Sequence, residues 1–501
     1  MFLPLPHPRL AALLTAATKG WGALPATSQT PGDAAGSGGV APSAVGDPAA
    51  EAPAFRRPAR SFLRQNEDWS DLSRFDPATT GDRFDPIKHI ALNDDGSAWV
   101  SVGGHARARL ETFSNFGFNG ENDDGFLLTR ALLHADFHFG EDLRVFVEGK
   151  TAFSTDRALP GDERPLDVDS LAFQQAFFDL TLSDSEDAKL VLRAGRQALQ
   201  FGKQRLVSPL PWGNTLRSWD GAALILTTDH WKTTAFYTQF APVSQFDSNQ
   251  ADRQNEFFGV YAEGKNLGPG GLQLDLFALG QLRDNAPGGG FNGTLGNEDR
   301  YTLGGRVSGK VPDTGFDYDF ESAYQFGRVG AGDVNAYAVA TQVGYAPAGL
   351  DGKPRVWVGF DYASGDDEAG GDVETFNQLF PLGHAYLGYI DIIGRQNILA
   401  FSSGFSVKPA PNVTFKAAGH LFALADAGDA LYNAGGGIVR AGGTASSREV
   451  GGEIDLTVNV KVNSHLSAQV GYSRFFAGEA VRESGLDEEI DFAYFQLLYS
   501  F

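Results

Sequence analysis

Between Val100 and Phe501 the chain switches, residue by residue, between apolar and polar. Val102, Gly104, Ala106, Ala108 and Leu110 alternate with Ser101, Gly103, His105, Arg107, Arg109 and Glu111. A period of two belongs to a strand whose faces meet different surroundings. The pattern returns in Gly125–Phe139, where Leu127, Ala131, Leu133, Ala135, Phe137 and Phe139 oppose Arg130, His134, Asp136 and His138. In Leu143–Phe153, Val145 and Val147 oppose Arg144, Glu148 and Lys150. Similar runs fall at 171–183, 188–198, 219–228, 231–241, 255–264, 271–283, 299–310, 315–327, 334–346, 354–363, 394–408, 411–424, 448–461, 464–476 and 489–501. That makes roughly 18 runs of about 10 to 14 residues, the even number and length of a membrane barrel. No run approaches the roughly 18 to 20 consecutive apolar residues of a spanning helix. If this chain crosses a bilayer, it crosses with strands.

A β-sandwich or propeller also alternates. Propeller strands are shorter, about 5 or 6 residues, and propellers carry a blade-length repeat that this sequence lacks. Aromatic residues at strand ends, among them Phe137, Phe139, Phe475, Phe476, Tyr494, Phe495 and Tyr499, suit the interfacial girdles of a barrel. The last run places Leu497, Tyr499 and Phe501 on one face, and an aromatic final residue is the usual mark of barrels handled by the outer-membrane assembly machinery. The expected fold is all-β, a transmembrane antiparallel β-barrel of about 18 strands in the bacterial outer membrane, with outer-membrane lipid around it.

Connection lengths agree with that count. Phe139–Asp142, Asp229–His230 and Lys408–Asn412 are short, whereas Ser154–Ser170, Gln197–Ser218, Asp284–Glu298, Ser364–Gly394 and Ala425–Ser447 are long. Every short one falls on the same side, which predicts short periplasmic turns and long extracellular loops.

Three segments precede the barrel, which is expected over 99–501. Residues 1–28 read as a signal peptide, with Arg9 ahead of the apolar Leu10–Ala17 and small residues at Ala26–Ser28. Residues 29–61 form an Ala-, Gly- and Pro-rich leader with too little bulky apolar surface to order itself. Residues 62–98, with turns at Asp76–Pro77 and Asp85–Pro86, form an extension packed at one end of the barrel. With no cysteine in the chain, disulfide scaffolds, zinc ribbons and thiol nucleophiles are excluded. A net charge of −22 argues against a nucleic-acid partner.

Several separated motifs carry a family likeness. They are GGHARARLE at 103–111, GRQ and RLVS within Gly195–Ser208, and the stretch from Trp212 to Asp220–Gly221. SGDDE with TFNQLFPLGHAYLGYID follows within Asp361–Asp391, then GGEIDL and YSRFFAG within Gly451–Gly478. In this order, from about Phe62 to Phe501, the sequence resembles the alginate-export family of outer-membrane porins. The resemblance implies an 18-stranded barrel, a count the alternation reaches by itself, and a strongly electropositive constriction.

Alternation places Arg107, Arg109, Arg130, Arg144, Lys150, Lys189, Arg193, Lys232, Arg300, Arg306, Arg355 and Lys416 in the lumen. Glu111, Asp136, Glu148, Asp179, Asp275, Asp317, Asp319, Glu321, Asp361, Glu453 and Asp455 share it. The wall is balanced in number but not in arrangement, with early strands basic and strands near 317–321 and 449–455 acidic. Arg107, Arg109, Arg130, Arg144, Lys150, Arg193, Arg306 and Arg355 are the strand-borne candidates for lining the pore. Arg205 and Arg217 join them from the long loop 197–218, where Trp212 and Trp219 read as stacking or girdle residues and Pro209 and Pro211 stiffen the backbone. The alternative is that these cations form cross-strand ion pairs. Arg196 falls on the lipid-facing register, where it would snorkel to the interface.

The expected function is passive passage of an anionic polysaccharide or oligosaccharide, as in alginate-type export. A general porin for small anionic or neutral solutes is the first alternative. An outer-membrane hydrolase using His105, His134, His138 and Asp136 is the second, although the chain has no HExxH, GxSxG or phosphate-binding glycine loop. The acidic stretch Ser364–Glu374, with Asp366, Asp367, Glu368 and Asp372, is either a solvated loop or a Ca²⁺ site. No cofactor is implied, and a periplasmic partner is left open.

Overall fold

The structure is a computed structural model that describes residues 55–77, 79–368 and 371–501. The expected signal peptide and the leader as far as residue 54 lie outside the described residues. The long strands are β1 (Ala98–Ser114), β2 (Asp124–Phe139), β3 (Leu143–Ser154), β4 (Asp169–Asp184), β5 (Ala188–Gln197), β6 (Ser218–Thr228), β7 (Trp231–Ala241), β8 (Asn255–Gly264) and β9 (Gln273–Arg283). The second half supplies β10 (Glu298–Lys310), β11 (Phe316–Val329), β12 (Gly332–Tyr345), β13 (Arg355–Ala363), β14 (Ile398–Ala410), β15 (Val413–Leu424), β16 (Glu449–Lys461), β17 (Leu466–Ala477) and β18 (Ile490–Ser500). Each pairs antiparallel with its neighbours in sequence, and β1 pairs with β18, Ala108 opposite Leu497, so the barrel of 18 strands closes. Closure leaves no edge of unpaired backbone groups to meet lipid.

Leu133, Phe178, Leu224, Val358 and Leu421 stand exposed on the outside, while Arg107, Arg109, Arg130, Glu148 and Lys150 are buried within. Turns 140–142, 229–230 and 411–412 lie at one end and the long loops 198–217, 364–397 and 425–448 at the other. One connection on the long-loop side departs from the rule, because β11 and β12 join through residues 330–331 alone.

The interior is filled unevenly, and side-chain size explains why. Beneath β1–β4 the inward residues are long and polar, and the extension reaches up among them. Gln65 and Gln175 exchange side-chain hydrogen bonds of 2.9 and 3.0 Å, Arg144 donates to the Gln65 carbonyl at 2.7 Å, and Arg64 donates to the Gly104 and Phe501 carbonyls. Ile90–Ala91 adds a short pairing with Val100 and Trp99 of β1. Residues 55–61 join this packing, with Phe55 against Trp69 and Arg57 paired with Asp85. Under β7–β9 the inward positions are aromatic instead. Phe236, Phe257, Tyr261 and Phe277 form an apolar core with Phe201, Val207, Phe376 and Phe380 from two long loops.

Two outcomes test this arrangement. Leu133 faces outward near mid-strand, opposite Gly104. Leu133→Arg is expected to cost about 2–4 kcal/mol in reversible urea unfolding from lipid vesicles, against about 0–1 for Leu182→Arg at the turn end of β4. Lys88, in the extension, donates to the Val102 carbonyl at 2.7 Å, and burial lowers its pKa to about 8. Docking disfavours the charged form, so it should be weakest below pH 8 and strengthen as pH rises from about 8 to the free-lysine value of about 10.5. A spin label at Ser73 would report the change, and Lys88→Met should abolish its pH dependence.

Candidate functional site

Loop 198–217, between β5 and β6, folds inward as a strap across the lumen, and the basic face of β1–β2 holds it by its backbone. Arg107 donates to the Trp212 and Gly213 carbonyls at 2.9 Å each and to Asn214 Oδ1 at 3.0 Å. Arg109 donates to the Trp212 carbonyl at 2.8 Å, and Arg130 to that of Gly213 at 2.7 Å. Asn214 in turn donates to the Thr129, Phe153 and Asp167 carbonyls. A turn rich in proline and glycine leaves carbonyls without secondary-structure partners, and guanidinium groups supply donors in a fixed fork.

The other predicted pore-lining cations are also engaged. Arg144 chelates Asp136, Lys150 lies 2.8 Å from Asp169, and Arg193 chelates Asp179 at 2.7 and 2.8 Å. Arg306 bridges Asp275 and Asp319, and Arg355 holds Asp317. From the strap, Arg205 reaches across to Asp319 at 2.9 Å and Glu321 at 2.7 Å. Burial opposes its charge, yet Glu321, Tyr386 and Asp319 carry its pKa above the usual arginine value. Arg217 donates to the Pro381 carbonyl at 2.8 Å, and burial lowers it to about 10. The cations lie inside the barrel, but as struts. The strongly basic constriction that the resemblance implied is not formed by them.

A second loop, 364–397, runs beside the strap. Val207 and Phe380 pair in parallel, with Phe380 N donating to the Leu206 carbonyl and Ser208 N to that of Phe380 at 2.9 Å each. Arg109, Trp212, His384 and Tyr389 then stack in sequence, the guanidinium 3.8 Å from the Trp212 ring centre and His384 3.7 Å beyond. Trp219 is fully buried against Phe380 and Phe240, so it belongs to the core and not to a membrane girdle.

Between this double strap and β12–β16 lies a cavity of about 300 Å³. Small inward residues leave it room, Ser402 and Ser406 on β14 and Ala418 on β15 among its lining, while Gly344 of β12 and Gly404 of β14 let Arg355 and Trp357 lie flat against the wall. Trp357, Tyr386, Tyr389, Arg355, Lys416, His420 and Asp455 surround it. Lys416 is exposed and, among the described residues, has no carboxylate within 4.0 Å. Sequence reasoning counted Lys416 as lumen-facing and missed His384, Tyr386 and Tyr389, because loop residues 384–389 carry no periodicity, while Trp357 went unremarked within the run read at 354–363.

Arg196 keeps its lipid-side register, beside Ala176, but chelates Asp220 at 2.6 and 2.8 Å. That neutral pair replaces free snorkelling. His138 stacks on Trp99, His134 on Phe146 and His105 beside Phe62, all inside. No serine hydroxyl hydrogen-bonds to them among the described residues. No three of the carboxylates at Asp366, Asp367, Glu368 and Asp372 converge as metal ligands among the described residues. Asp429 instead accepts from Asp366 N and Thr375.

A family model described as "Alginate export" matches residues 98–492. No curated protein matches the chain. Among solved structures, Pseudomonas aeruginosa OpdO aligns with a TM-score of 0.54 at 13% identity, covering 80% of this chain and 97% of that one. Pseudomonas aeruginosa OccD3 (OpdP) gives 0.53 at 11% over 80% and 91%, and Acinetobacter baumannii OccAB2 gives 0.52 at 12% over 80% and 98%. These likenesses show the fold.

If Arg107 and Arg130 clamp the strap, Arg107→Gln with Arg130→Gln should free it. Hydrogen bonds from charged groups contribute about 1.5–3 kcal/mol each. Trypsin should then cut after Lys203 or Arg205 at least about tenfold faster in the folded barrel, since each 1.4 kcal/mol is a factor of ten when opening precedes cleavage. Cleavage products resolved by mass spectrometry measure this, and unfolding in urea should change far less.

Proposed function

Because the chain belongs to the alginate-export family and is an outer-membrane channel, we propose that it passes short acidic solutes, uronate-type oligosaccharides above all, down their gradient. The observation that carries this reading is the cavity beside the strap. Its volume, about 300 Å³, is at the small end of pockets for single small molecules. Lys416 supplies a cation not neutralised by a carboxylate, whereas the larger basic face of β1–β2 is spent on the strap. Tyr386, Tyr389 and Trp357 supply apolar faces beside it. Charge selection from such a wall is modest and local.

Passage of an extended anionic polysaccharide is the second reading. It needs the strap to swing away from Arg107, Arg109 and Arg130, which would then return those groups to the lumen. The family itself favours it.

Planar-bilayer recording separates the two. Short-solute passage predicts weak anion preference in a KCl gradient, partial block by uronate oligomers, and no added block from long polyuronate. Lys416→Glu should move the reversal potential toward cation preference. Strong anion preference with block that deepens as the polymer lengthens would favour the second reading.

A further inference from the structure

We propose that β12–β15 build a binding shelf for a cyclic carboxylate, with Trp357 under the ring and Lys416 at the carboxylate. The proposal rests on the channel reading above and names the chemistry that the same cavity selects. Its basis is the way two flat side chains are seated against the wall. Trp357 of β13 stands between Gly344 of β12 and Gly404 of β14. A Cβ at Gly404 would fall 2.3–2.4 Å from Trp357 Cε2, Cζ2 and Nε1. Three ring atoms at nearly one distance mean that the indole lies across the glycine, with its opposite face toward the lumen. At Gly344 a Cβ would meet Arg355 Nη2 at 2.2 Å, Cζ at 2.6 Å and Nε at 2.7 Å. The guanidinium is therefore laid against the wall as well, fixed there by Asp317 at 2.5 and 2.8 Å and by Gln342 at 3.2 Å.

The guanidinium lies toward β12 and the indole toward β14, each seated on its own glycine, and a larger residue at Gly404 would lift the flat indole face off the wall. Such a surface takes the face of a ring through apolar and π contact. The indole N–H has no protein acceptor among the described residues, so it is available to a ligand oxygen.

The charge sits one row away. Arg355 pairs with Ser406 and Ser406 with Lys416, which places the backbones of the two cations about 10 Å apart across two strand spacings, with the Arg355 guanidinium turned away toward β12. Arg355 is neutralised by Asp317, and Lys416 is not. A ring resting on Trp357 thus has one unneutralised ammonium group within reach on the same wall. Both a hexuronate and an aromatic acid offer a ring face and a carboxylate, so the shared chemistry is a cyclic carboxylate.

Isothermal titration of the folded barrel in detergent micelles tests this, with glucuronate, benzoate, acetate and glucose as probes and protein-free micelles as the blank. Glucuronate, benzoate or both should bind at least about tenfold more tightly than acetate and glucose, a difference of about 1.4 kcal/mol. Their ratio identifies a saturated or an aromatic ring as the better occupant. Trp357→Ala should remove the advantage of the ring and Trp357→Phe restore part of it, while Lys416→Gln should weaken the carboxylates alone. Equal affinity for acetate and the cyclic acids, or cyclic-acid binding unchanged in Trp357→Ala, would overturn the shelf. KCl conductance of the same variants, recorded separately, tests the channel reading. Conduction without cyclic-acid preference refutes the shelf alone, and binding without conduction refutes the channel alone.

Discussion

Hydrocarbon offers a backbone amide nothing to bond with, and that constraint shapes this chain twice. It forces the strands to close, so that β1 finds β18 and no row of N–H and C=O groups is left open. It also confines non-repetitive backbone near the membrane to the inside of the barrel. The loops that enter the lumen bring carbonyls of their own, and those must be satisfied there. Arg107, Arg109 and Arg130 satisfy the carbonyls of 211–213. A basic arc that reads as a substrate track is, in the folded barrel, the fixing for a strap.

Function then follows from what the strap leaves over. On one side it seals against aromatic residues of β7–β9, where inward positions carry Phe236, Phe257 and Phe277. On the other it faces β12–β15, where glycine, alanine and serine alternate with larger inward residues such as Arg355, Trp357 and Lys416. The cavity lies on that side, and so does Lys416, which among the described residues has no carboxylate within 4.0 Å. The cavity is thus a consequence of side-chain volume, and the selectivity proposed for it rests on Lys416, a lining cation without a carboxylate within 4.0 Å among the described residues.

The barrel was legible because each strand repeats one simple rule over about ten residues. The run read at 448–461 is β16 at Glu449–Lys461, and that at 231–241 is β7 without change. The run read at 394–408 begins late, at Ile398, since Gly394–Asn397 continue the loop with their own tertiary bonds. Inward placement of Arg107, Arg130 and Arg193 was legible for the same reason. Their partners were not, because a carbonyl acceptor has no side-chain signature and Asp179 looks like any other acidic residue. The double strap was invisible too, since the pairing of Val207 with Phe380 joins segments far apart in sequence. Trp219 shows the limit of alternation, which gives a face but not what packs on it.

The central claim is that loop 198–217 stays seated across the lumen while the barrel is in a membrane. The chain has no cysteine, so Lys203→Cys on the strap and Lys416→Cys on the wall, both at exposed positions, accept a pair of spin labels without background. Pulsed electron paramagnetic resonance in lipid vesicles should give one narrow distance distribution. A broad distribution, or a major population with the strap withdrawn toward the extracellular end, would contradict the account.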